Sequence, residues 1–150
     1  MQIILWRHAQ AEDGKHDLMR ALTPKGQQQA KKMASKLKKM LPENTQVWVS
    51  EAIRSRETAA YLNRNMETFA ALNPETAPQQ VLDLLLQQLD DDTVVIVGHQ
   101  PWLGKICAFL LNQNWQSASP WSVKKGAYWW FQAQREHDIF HCKLKHMHTP

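Results

Sequence analysis

Three short segments of this sequence combine residue types that could bind and transfer an anionic group. Arg7 and His8 follow the apolar run at the N-terminus, Arg54 comes shortly after a second apolar run, and His99 follows a third. Two arginines, each a planar fork of donors, predict a site for a multiply charged anion. Positive neighbours keep a histidine neutral, and a neutral imidazole is a nucleophile. Such chemistry requires one ring nitrogen free to attack and the other held by an acceptor.

Each of these segments follows a predicted β-strand. Residues 2–6, 47–49 and 93–97 are short apolar runs, and residues 93–97 are apolar on both faces, as in a central parallel strand. In open α/β sheets a ligand binds beyond the carboxyl ends of the strands. The positions directly after these three strands are therefore expected to hold the chemistry.

Helices are predicted between the strands. Thr23 and Pro24 are typical of a helix start, and the helix is expected to end at Pro42. Ser50 is predicted to cap a second helix that carries Glu51 in its first turn and runs to about residue 62, so that the positive N-terminus of this helix adds to the anion site. The apolar positions of the first helix are Ala30, Met33, Ala34, Leu37, Met40 and Leu41.

The remaining segments complete an α/β pattern. A weak strand is predicted over residues 68–72, a turn at 90–92, a helix over 101–111, and two late strands over 127–133 and 139–144. A further helix opens at Pro78, and its buried side is assigned to Val81, Leu82, Leu85, Leu86 and Leu89. The pattern indicates an α/β three-layer sandwich in one domain, residues 1–150. Its central sheet is mostly parallel and flanked by helices, with an antiparallel addition near the C-terminus.

Longer motifs surround the candidate residues. The first strand ends at Arg7-His8-Ala9, and the strand over 93–97 ends at Gly98-His99, with Pro101 close behind. The pattern D-x-x-R-x-L-T-x-x-G-x-x-Q-A is formed by Asp17, Arg20, Leu22, Thr23, Gly26, Gln29 and Ala30. The pattern S-P-x-x-R-A-x-x-T-A is matched by Ser50, Arg54, Thr58 and Ala59, with Glu51 in place of the proline and Ser55 in place of the alanine.

The joint pattern, over residues 2 to about 111, resembles the histidine phosphatase (phosphoglycerate mutase-like) superfamily, and within it the short SixA-type phosphohistidine phosphatases. The resemblance implies a phosphoglycerate mutase-like fold. It implies that His8 is the nucleophile and forms a transient phosphohistidine, which water hydrolyses. It also implies that Arg7, Arg54 and His99 bind the phosphoryl group, whose charge fixed cationic donors stabilise.

The surroundings of this site are predicted as well. His16, Arg20 and Ser50 are expected at the rim of the pocket, and phosphate or a similar oxyanion is the expected ligand. No metal or other cofactor is expected, because arginines supply the positive charge that phosphoryl transfer needs.

The substrate is inferred from the leaving group. Members of the superfamily that cleave alkyl esters usually carry a carboxylic acid that protonates the departing oxygen. Glu12, Asp13, Glu75 and the helix start near Pro78 are the places to look for one, and Glu75 is interpreted as a solvated loop residue. The imidazole of a phosphohistidine departs neutral once its second nitrogen is protonated, which its ordinary pKa of about 6.5 allows.

A missing acid and a short chain without room for a lid therefore favour a phosphorylated, histidine-containing protein as the partner, in a phosphorelay for example. Two alternatives stay open. The first is a phosphomonoesterase that acts on a small phosphorylated metabolite. The second is a phosphoprotein-binding module without activity, although such a module has no need of a poised nucleophile.

Composition excludes several other classes of protein. The chain has 150 residues, of which 43% are hydrophobic and 21% charged, which is ordinary for a globular domain. The N-terminal apolar run is too short for a signal peptide, and no run approaches a membrane span. Cys107 and Cys142 are interpreted as reduced packing residues. We therefore expect a cytoplasmic monomer that binds neither membrane nor nucleic acid.

Three further features have an ordinary interpretation beside a functional one. The lysines at 25, 31, 32, 36, 38 and 39 form either a docking face for an acidic partner or, as we favour, a solvated helix face that contributes to the net charge of +4. The aromatic residues between 115 and 131 are assigned to the core rather than to base stacking. The histidines at 137, 141, 146 and 148 are assigned to the surface, since their spacing matches no standard metal site.

Overall fold

A single six-stranded sheet organises the computed structural model, which describes residues 1–88, 91–115 and 121–150. Strands β1 to β4 cover Gln2–Arg7, Gln46–Val49, Glu67–Thr68 and Thr93–Gly98, and strands β5 and β6 cover Tyr128–Glu136 and Ile139–His148. The strand order is β3-β2-β4-β1-β5-β6. The first four strands of this order are parallel, β5 is antiparallel to β1, and β6 is antiparallel to β5.

Helices cover both faces of the sheet. Helix α1 spans Pro24–Lys38, α2 spans Ile53–Ala60, α3 spans Pro78–Leu86 and α4 spans Trp102–Asn112. Successive strand side chains point to opposite faces, so β1 and β4 each contribute to two cores. The core shared with α1 and α2 contains Ile4, Trp6, Met33, Leu37, Val95 and Val97. The core shared with α3 and α4 contains Ile3, Leu5, Leu85, Val94, Ile96 and Ile106. The predicted three-layer α/β sandwich, with its antiparallel addition, is confirmed.

The start of α1 follows from its sequence. The Thr23 hydroxyl accepts a hydrogen bond from the Gly26 amide at 2.9 Å, and Pro24 occupies the first turn, where its missing N–H costs nothing. The helix ends at Lys38, so the predicted helical positions of Met40 and Leu41 are wrong. Leu41 is nevertheless buried, whereas Met40 is exposed.

The predicted start of α2 is also wrong. Ala52 occupies the cap position without a side-chain hydrogen bond, and the helix begins at Ile53. Ser50 lies two residues before the cap position, and its hydroxyl is bonded to His99. Glu51 therefore lies outside the helix, and the helix ends at Ala60, before the predicted residue 62.

Other boundaries also differ from the prediction, since β5 and β6 run to Glu136 and His148, beyond the predicted residues 133 and 144. The weak strand predicted over 68–72 is reduced to β3, and a 3₁₀ turn, Ala70–Leu72, follows it. In α3, Val81, Leu82 and Leu85 are buried and Leu86 is half-buried. Leu89 and Asp90, which belong to the predicted buried face and turn, lie outside the described residues.

The C-terminal hairpin accounts for most of the late aromatic residues. Tyr128, Trp130 and Phe131 on β5 are buried, as predicted, and Trp129 is half-buried. Trp115 is exposed and stacks on Phe109, with ring centroids 4.0 Å apart. Cys107 and Cys142 are both free thiols. Across the described part of the chain, we find no helix with the length and apolar character needed to cross a membrane.

Candidate active site

The carboxyl ends of β1 and β4 bring two histidines together. Arg7 and Gly98 are paired in the parallel register of these strands, and His8 and His99 each follow directly. The His8 amide donates to the Gly98 carbonyl at 3.1 Å. The two imidazole rings lie with centroids 5.0 Å apart at an interplanar angle of 48°. The strand-end rule therefore places both rings at one edge of the sheet.

His8 has the geometry of a nucleophile. Its Nδ1 lies 2.7 Å from the Ala9 carbonyl oxygen, which can only accept, so Nδ1 carries the proton. Nε2 is then left with its lone pair. Burial first, together with the positive charges of Arg54 and Arg7, lowers the pKa of His8 to about 4, although the hydrogen bond to Ala9 acts in the opposite direction. The imidazole is consequently neutral at pH 7.

His99 is held by Ser50. Its Nε2 lies 2.7 Å from the Ser50 hydroxyl oxygen, which also accepts from the Ala52 amide at 3.2 Å. Burial first, and then repulsion against a protonated His8 and against Arg54, lower the pKa of His99 to about 2, so this ring is also neutral. When the Ser50 hydroxyl donates to Nε2, the ring proton lies on Nδ1, which is buried and has no partner. His99 then offers a free donor.

Arg54 is held by a carboxylate from a distant loop. Its Nη1 donates to the Asp17 carbonyl at 2.6 Å, and its Nη2 donates to the Asp17 carboxylate at 3.0 Å. The same carboxylate accepts from Arg20 at 3.0 Å. Partial burial would raise the pKa of Asp17, but the hydrogen bonds and charges of Arg54 and Arg20 outweigh it and lower that pKa. Asp17 is thus an ionised bridge between the two arginines.

Arg7 is held by a second loop. Its Nη1 donates to the Val123 carbonyl at 2.7 Å, and burial lowers its pKa. The Gly126 amide lies 3.2 Å from the Arg7 carbonyl oxygen and 3.1 Å from that of His8. The segment between Val123 and Gly126 therefore fixes both the guanidinium and the backbone that carries the nucleophile.

Unsatisfied donors converge on this site. Within the described residues, four buried side-chain nitrogen or oxygen atoms lack a hydrogen-bond partner, and three of them are Nε of Arg7, Nε of Arg54 and Nδ1 of His99. Buried polar atoms are normally paired, so orphans of one kind in one place require an explanation. An oxyanion with several acceptor oxygens is the ligand that would satisfy all three donors.

Two hydroxyl residues on α2 lock the site to the sheet. Thr58 Oγ1 accepts from the Ala9 amide at 3.1 Å and donates to the Arg54 carbonyl at 2.7 Å. Ser55 Oγ donates to the Val97 carbonyl at 2.7 Å. The motif that contains these residues is visible in the sequence. The bonds from Thr58 to Ala9 and from Ser55 to Val97, however, join segments more than 40 residues apart, so the sequence pattern does not reveal them.

Gly26 allows α1 to approach the loop after His8. A Cβ atom on this residue would lie 1.9 Å from the Gln10 carbonyl oxygen. Gln29, one turn along the helix, accepts from the Gln10 amide at 3.1 Å. Thr23, Gly26 and Gln29 all contact or face Gln10. The motif D-x-x-R-x-L-T-x-x-G-x-x-Q-A therefore supports the loop that follows His8.

The structure places the predicted rim residues in different environments. His16 is exposed and precedes a 3₁₀ turn, Asp17–Met19, and Arg20 is half-buried. Ser50 is fully buried against His99 rather than exposed at an entrance. Among the carboxylates considered as acids, Glu12, Asp13 and Glu75 are exposed. No group of three or more histidine, cysteine or acidic side chains among the described residues is arranged to hold a metal ion.

Comparisons with known proteins agree with this geometry. The family model of the histidine phosphatase superfamily (branch 1) matches residues 3–79. Among curated proteins, none matches the sequence.

Solved structures of similar fold include two SixA proteins. The protein histidine phosphatase SixA, solved with tungstate, superposes with a TM-score of 0.84 at 22% identity, over 99% of this chain and 97% of that chain. The proposed phosphohistidine phosphatase SixA of Nakamurella multipartitia superposes with a TM-score of 0.82 at 23% identity, over 99% of this chain and 95% of that chain.

The same fold also serves a small metabolite. A mycobacterial glucosyl-3-phosphoglycerate phosphatase superposes with a TM-score of 0.73 at 15% identity, over 96% of both chains. A complex of the same enzyme with the oxyanion VO3 has a TM-score of 0.72. These identities show a shared fold, and the fold alone does not distinguish the two substrate classes.

Proposed function

This chain is a member of the histidine phosphatase superfamily, and we propose that it removes the phosphoryl group from a phosphohistidine on a partner protein, such as a phosphorelay or phosphotransfer domain. The observation that carries the proposal is the neutral His8, with Nδ1 bonded to Ala9 and Nε2 free, beside three unsatisfied donors. A nucleophile and an oxyanion site in contact are the two components of covalent phosphoryl transfer.

The proposed reaction has two steps. In the first, Nε2 of His8 bonds to phosphorus as the bond from phosphorus to the substrate imidazole breaks. The electron pair of that bond stays on the departing imidazole, which leaves neutral because its second nitrogen is protonated. In the second, water attacks phosphorus, inorganic phosphate departs and the electron pair returns to Nε2. The proton stays on Nδ1 of His8, hydrogen-bonded to the Ala9 carbonyl, throughout, so the nucleophile returns to its starting tautomer.

The three donor residues stabilise the transferred group. A phosphoryl group in transfer spreads its negative charge over three equatorial oxygens. Arg7, Arg54 and His99 each bring one unpaired N–H to the site, and the first two also bring positive charge. Because their other bonds, to Val123, Asp17 and Ser50, hold them in place before substrate arrives, little reorganisation is required during the reaction.

The state of Asp17 favours phosphohistidine over an alkyl phosphate. An alkoxide leaving group needs a proton donor, whereas an imidazole with a protonated second nitrogen does not. Asp17 is the carboxylate bound to Arg54, and its lowered pKa keeps it ionised and poorly suited to donate a proton. Glu12, Asp13 and Glu75, the carboxylates that the sequence suggests as acids, are exposed to solvent. We further propose that the enzyme acts in the cytoplasm, as a monomer and without a metal.

A substrate panel tests the proposal. The substrates are a phosphotransfer domain phosphorylated on histidine with phosphoramidate, free phosphohistidine, a set of sugar phosphates and p-nitrophenyl phosphate. We expect the wild type to release phosphate fastest from the phosphohistidine substrates, with a loss of at least a thousandfold in His8→Ala. His141→Ala, which removes an exposed histidine of β6, is the matched control and should retain full activity.

Three outcomes would contradict the proposal. Undiminished release in His8→Ala would show that His8 is not the nucleophile. Preference for a sugar phosphate would assign the protein to the metabolite phosphatases instead. Phosphate binding without turnover of any substrate would indicate a module that recognises phosphoproteins.

A further inference from the structure

Two loops connect the surface of the protein to the arginines of the site. The first is the 3₁₀ turn Asp17–Met19, which is bonded to Arg54 through both the carbonyl and the carboxylate of Asp17. The second is residues 123–126, bonded to Arg7 through the Val123 carbonyl. We call these two loops the rim, a name that here covers Asp17–Met19 and residues 123–126 and not the predicted rim residues His16, Arg20 and Ser50. Both loops therefore lie beside the arginines that would bind the phosphoryl group.

The first rim loop presents apolar side chains to solvent. Met19 is 65% exposed and Leu18 is 36% exposed. Isolated exposed apolar residues are ordinary on protein surfaces. Here, however, two adjacent ones lie on a turn whose first residue contacts a predicted phosphate-binding arginine. Methionine is also flexible and polarisable, which suits contact with a partner surface of variable shape.

The second rim loop presents positive charge. Lys124 and Lys125 are both exposed, and they lie between the Val123 carbonyl that binds Arg7 and the Gly126 amide that binds the backbone of His8. The two rim loops therefore differ in character, because the first exposes apolar side chains and the second exposes two lysines.

We propose that the rim is a docking surface for a folded protein whose phosphohistidine has an apolar side chain on one side and acidic side chains on the other. The inference rests on the proposed function and deepens it. The apolar side chain would pack on Leu18 and Met19, and the acidic side chains would face Lys124 and Lys125. Free phosphohistidine fills the anion site without touching the rim, so only the protein substrate gains from these contacts.

The lysine-rich face of α1 is the competing docking surface. It carries more lysines than the rim, and most of them are exposed. None of the hydrogen bonds of Arg7 or Arg54, however, involves a lysine of α1, whereas both rim loops bond directly to these arginines. The lysines of the rim therefore lie on a loop that holds an arginine of the site, where their charge can steer a phosphoryl group to His8.

Matched polar substitutions test the proposal. The rim variants are Met19→Gln and the double variant Lys124→Gln/Lys125→Gln. Their controls are Met147→Gln, which changes a methionine that is 51% exposed on β6, and the double variant Lys31→Gln/Lys32→Gln on α1. All four change exposed side chains without introducing opposite charge, so folding should be preserved. The probes are free phosphohistidine and a phosphotransfer domain phosphorylated on histidine with phosphoramidate.

We expect each rim variant to lower kcat/KM for the phosphorylated domain by about fivefold or more, and to leave kcat/KM for free phosphohistidine within about twofold of the wild type. The double lysine variant should also weaken the dependence of kcat/KM on ionic strength for the domain, since exposed charges steer association. Both controls should match the wild type on both probes.

The outcomes separate this inference from the proposed function. If the wild type cleaves both probes but the rim variants behave like their controls, the docking surface is refuted and the proposed function stands. An equal loss on both probes would show that the rim supports the anion site rather than a partner. A loss confined to the α1 double variant would assign docking to that helix. If the wild type cleaves neither probe, the proposed function fails and this inference fails with it.

Discussion

The buried, neutral His8 predicts a loss of stability in mild acid. In an unfolded chain a histidine titrates near 6.5, whereas burial lowers the pKa of His8 to about 4. Between these two values the unfolded state binds more protons than the folded state, so the free energy of unfolding falls as the pH falls. The contribution of His8 is fully present above about pH 6.5, decreases through this window, and levels off below about pH 4.

The size of this effect follows from the two pKa values. Protonation of the unfolded chain at pH 5, with His8 still neutral in the fold, reduces the free energy of unfolding by about 2 kcal/mol relative to pH 7. The full effect of His8, reached below pH 4, is about 3 kcal/mol. Even the smaller figure is a large share of the 5–15 kcal/mol that is typical of a domain.

Chemical denaturation of the wild type and His8→Asn at pH 7, 6 and 5 provides the measurement, with tryptophan fluorescence as the signal. Asparagine keeps polar atoms at the site but does not titrate. His99 is present in both proteins, so the comparison isolates His8. The wild type should lose about 2 kcal/mol more than the variant between pH 7 and pH 5. Equal losses in the two proteins would show that His8 is not held neutral by the fold, and the argument for its role as a nucleophile would weaken accordingly.

Three further predictions concern the residues that hold the site in place. Asp17→Asn keeps the carbonyl contact to Arg54 but loses the ion pair, so kcat/KM should fall about tenfold. The control Asp138→Asn, in the β5–β6 turn, should leave kcat/KM unchanged, and equal values for both variants would show that Asp17 does not position Arg54. Ser50→Ala removes the partner of His99 Nε2, so the inhibition constant of phosphate should rise about tenfold without a change in fold. Steady-state inhibition measures the constant and circular dichroism measures the fold, and an unaltered constant would mean that His99 does not need this bond. Gly26→Ala places a Cβ 1.9 Å from the Gln10 carbonyl oxygen and should destabilise the protein by about 1–3 kcal/mol, whereas the Cβ of Gly14→Ala meets its nearest atom at 3.4 Å and should be tolerated. Thermal denaturation compares the two variants, and similar melting temperatures would contradict the close approach of α1 to Gln10.

The sequence by itself determined the sheet and the location of the candidate chemistry. Short runs at residues 2–6, 47–49 and 93–97 are buried strands because a parallel strand covered on both faces is filled mainly by apolar residues. Polar residues directly after such runs lie at the carboxyl ends of the strands. Parallel strands place these ends at one edge, so local patterns were enough to bring His8 and His99 together.

Element boundaries were decided by contacts instead. The pattern at Ser50 satisfied every local requirement of a helix cap, yet its hydroxyl is bonded to His99, which lies 49 residues later in the chain. The hydroxyl also accepts from the Ala52 amide, but Ala52 rather than Ser50 occupies the cap position, and α2 starts at Ile53. Met40 likewise fits the helical period, but the helix ends before it and leaves it exposed.

Only the tertiary structure decided how the candidate residues are tuned. The sequence contains several acidic residues near the site, and nothing in their spacing singles out Asp17 as the partner of Arg54, 37 residues away. The bond between Arg7 and Val123 spans 116 residues. The low pKa of His8 depends on burial and on these arginines. Burial and long-range partners depend on how the whole chain packs, which no local pattern records, whereas strand ends and helix starts depend on neighbours in sequence.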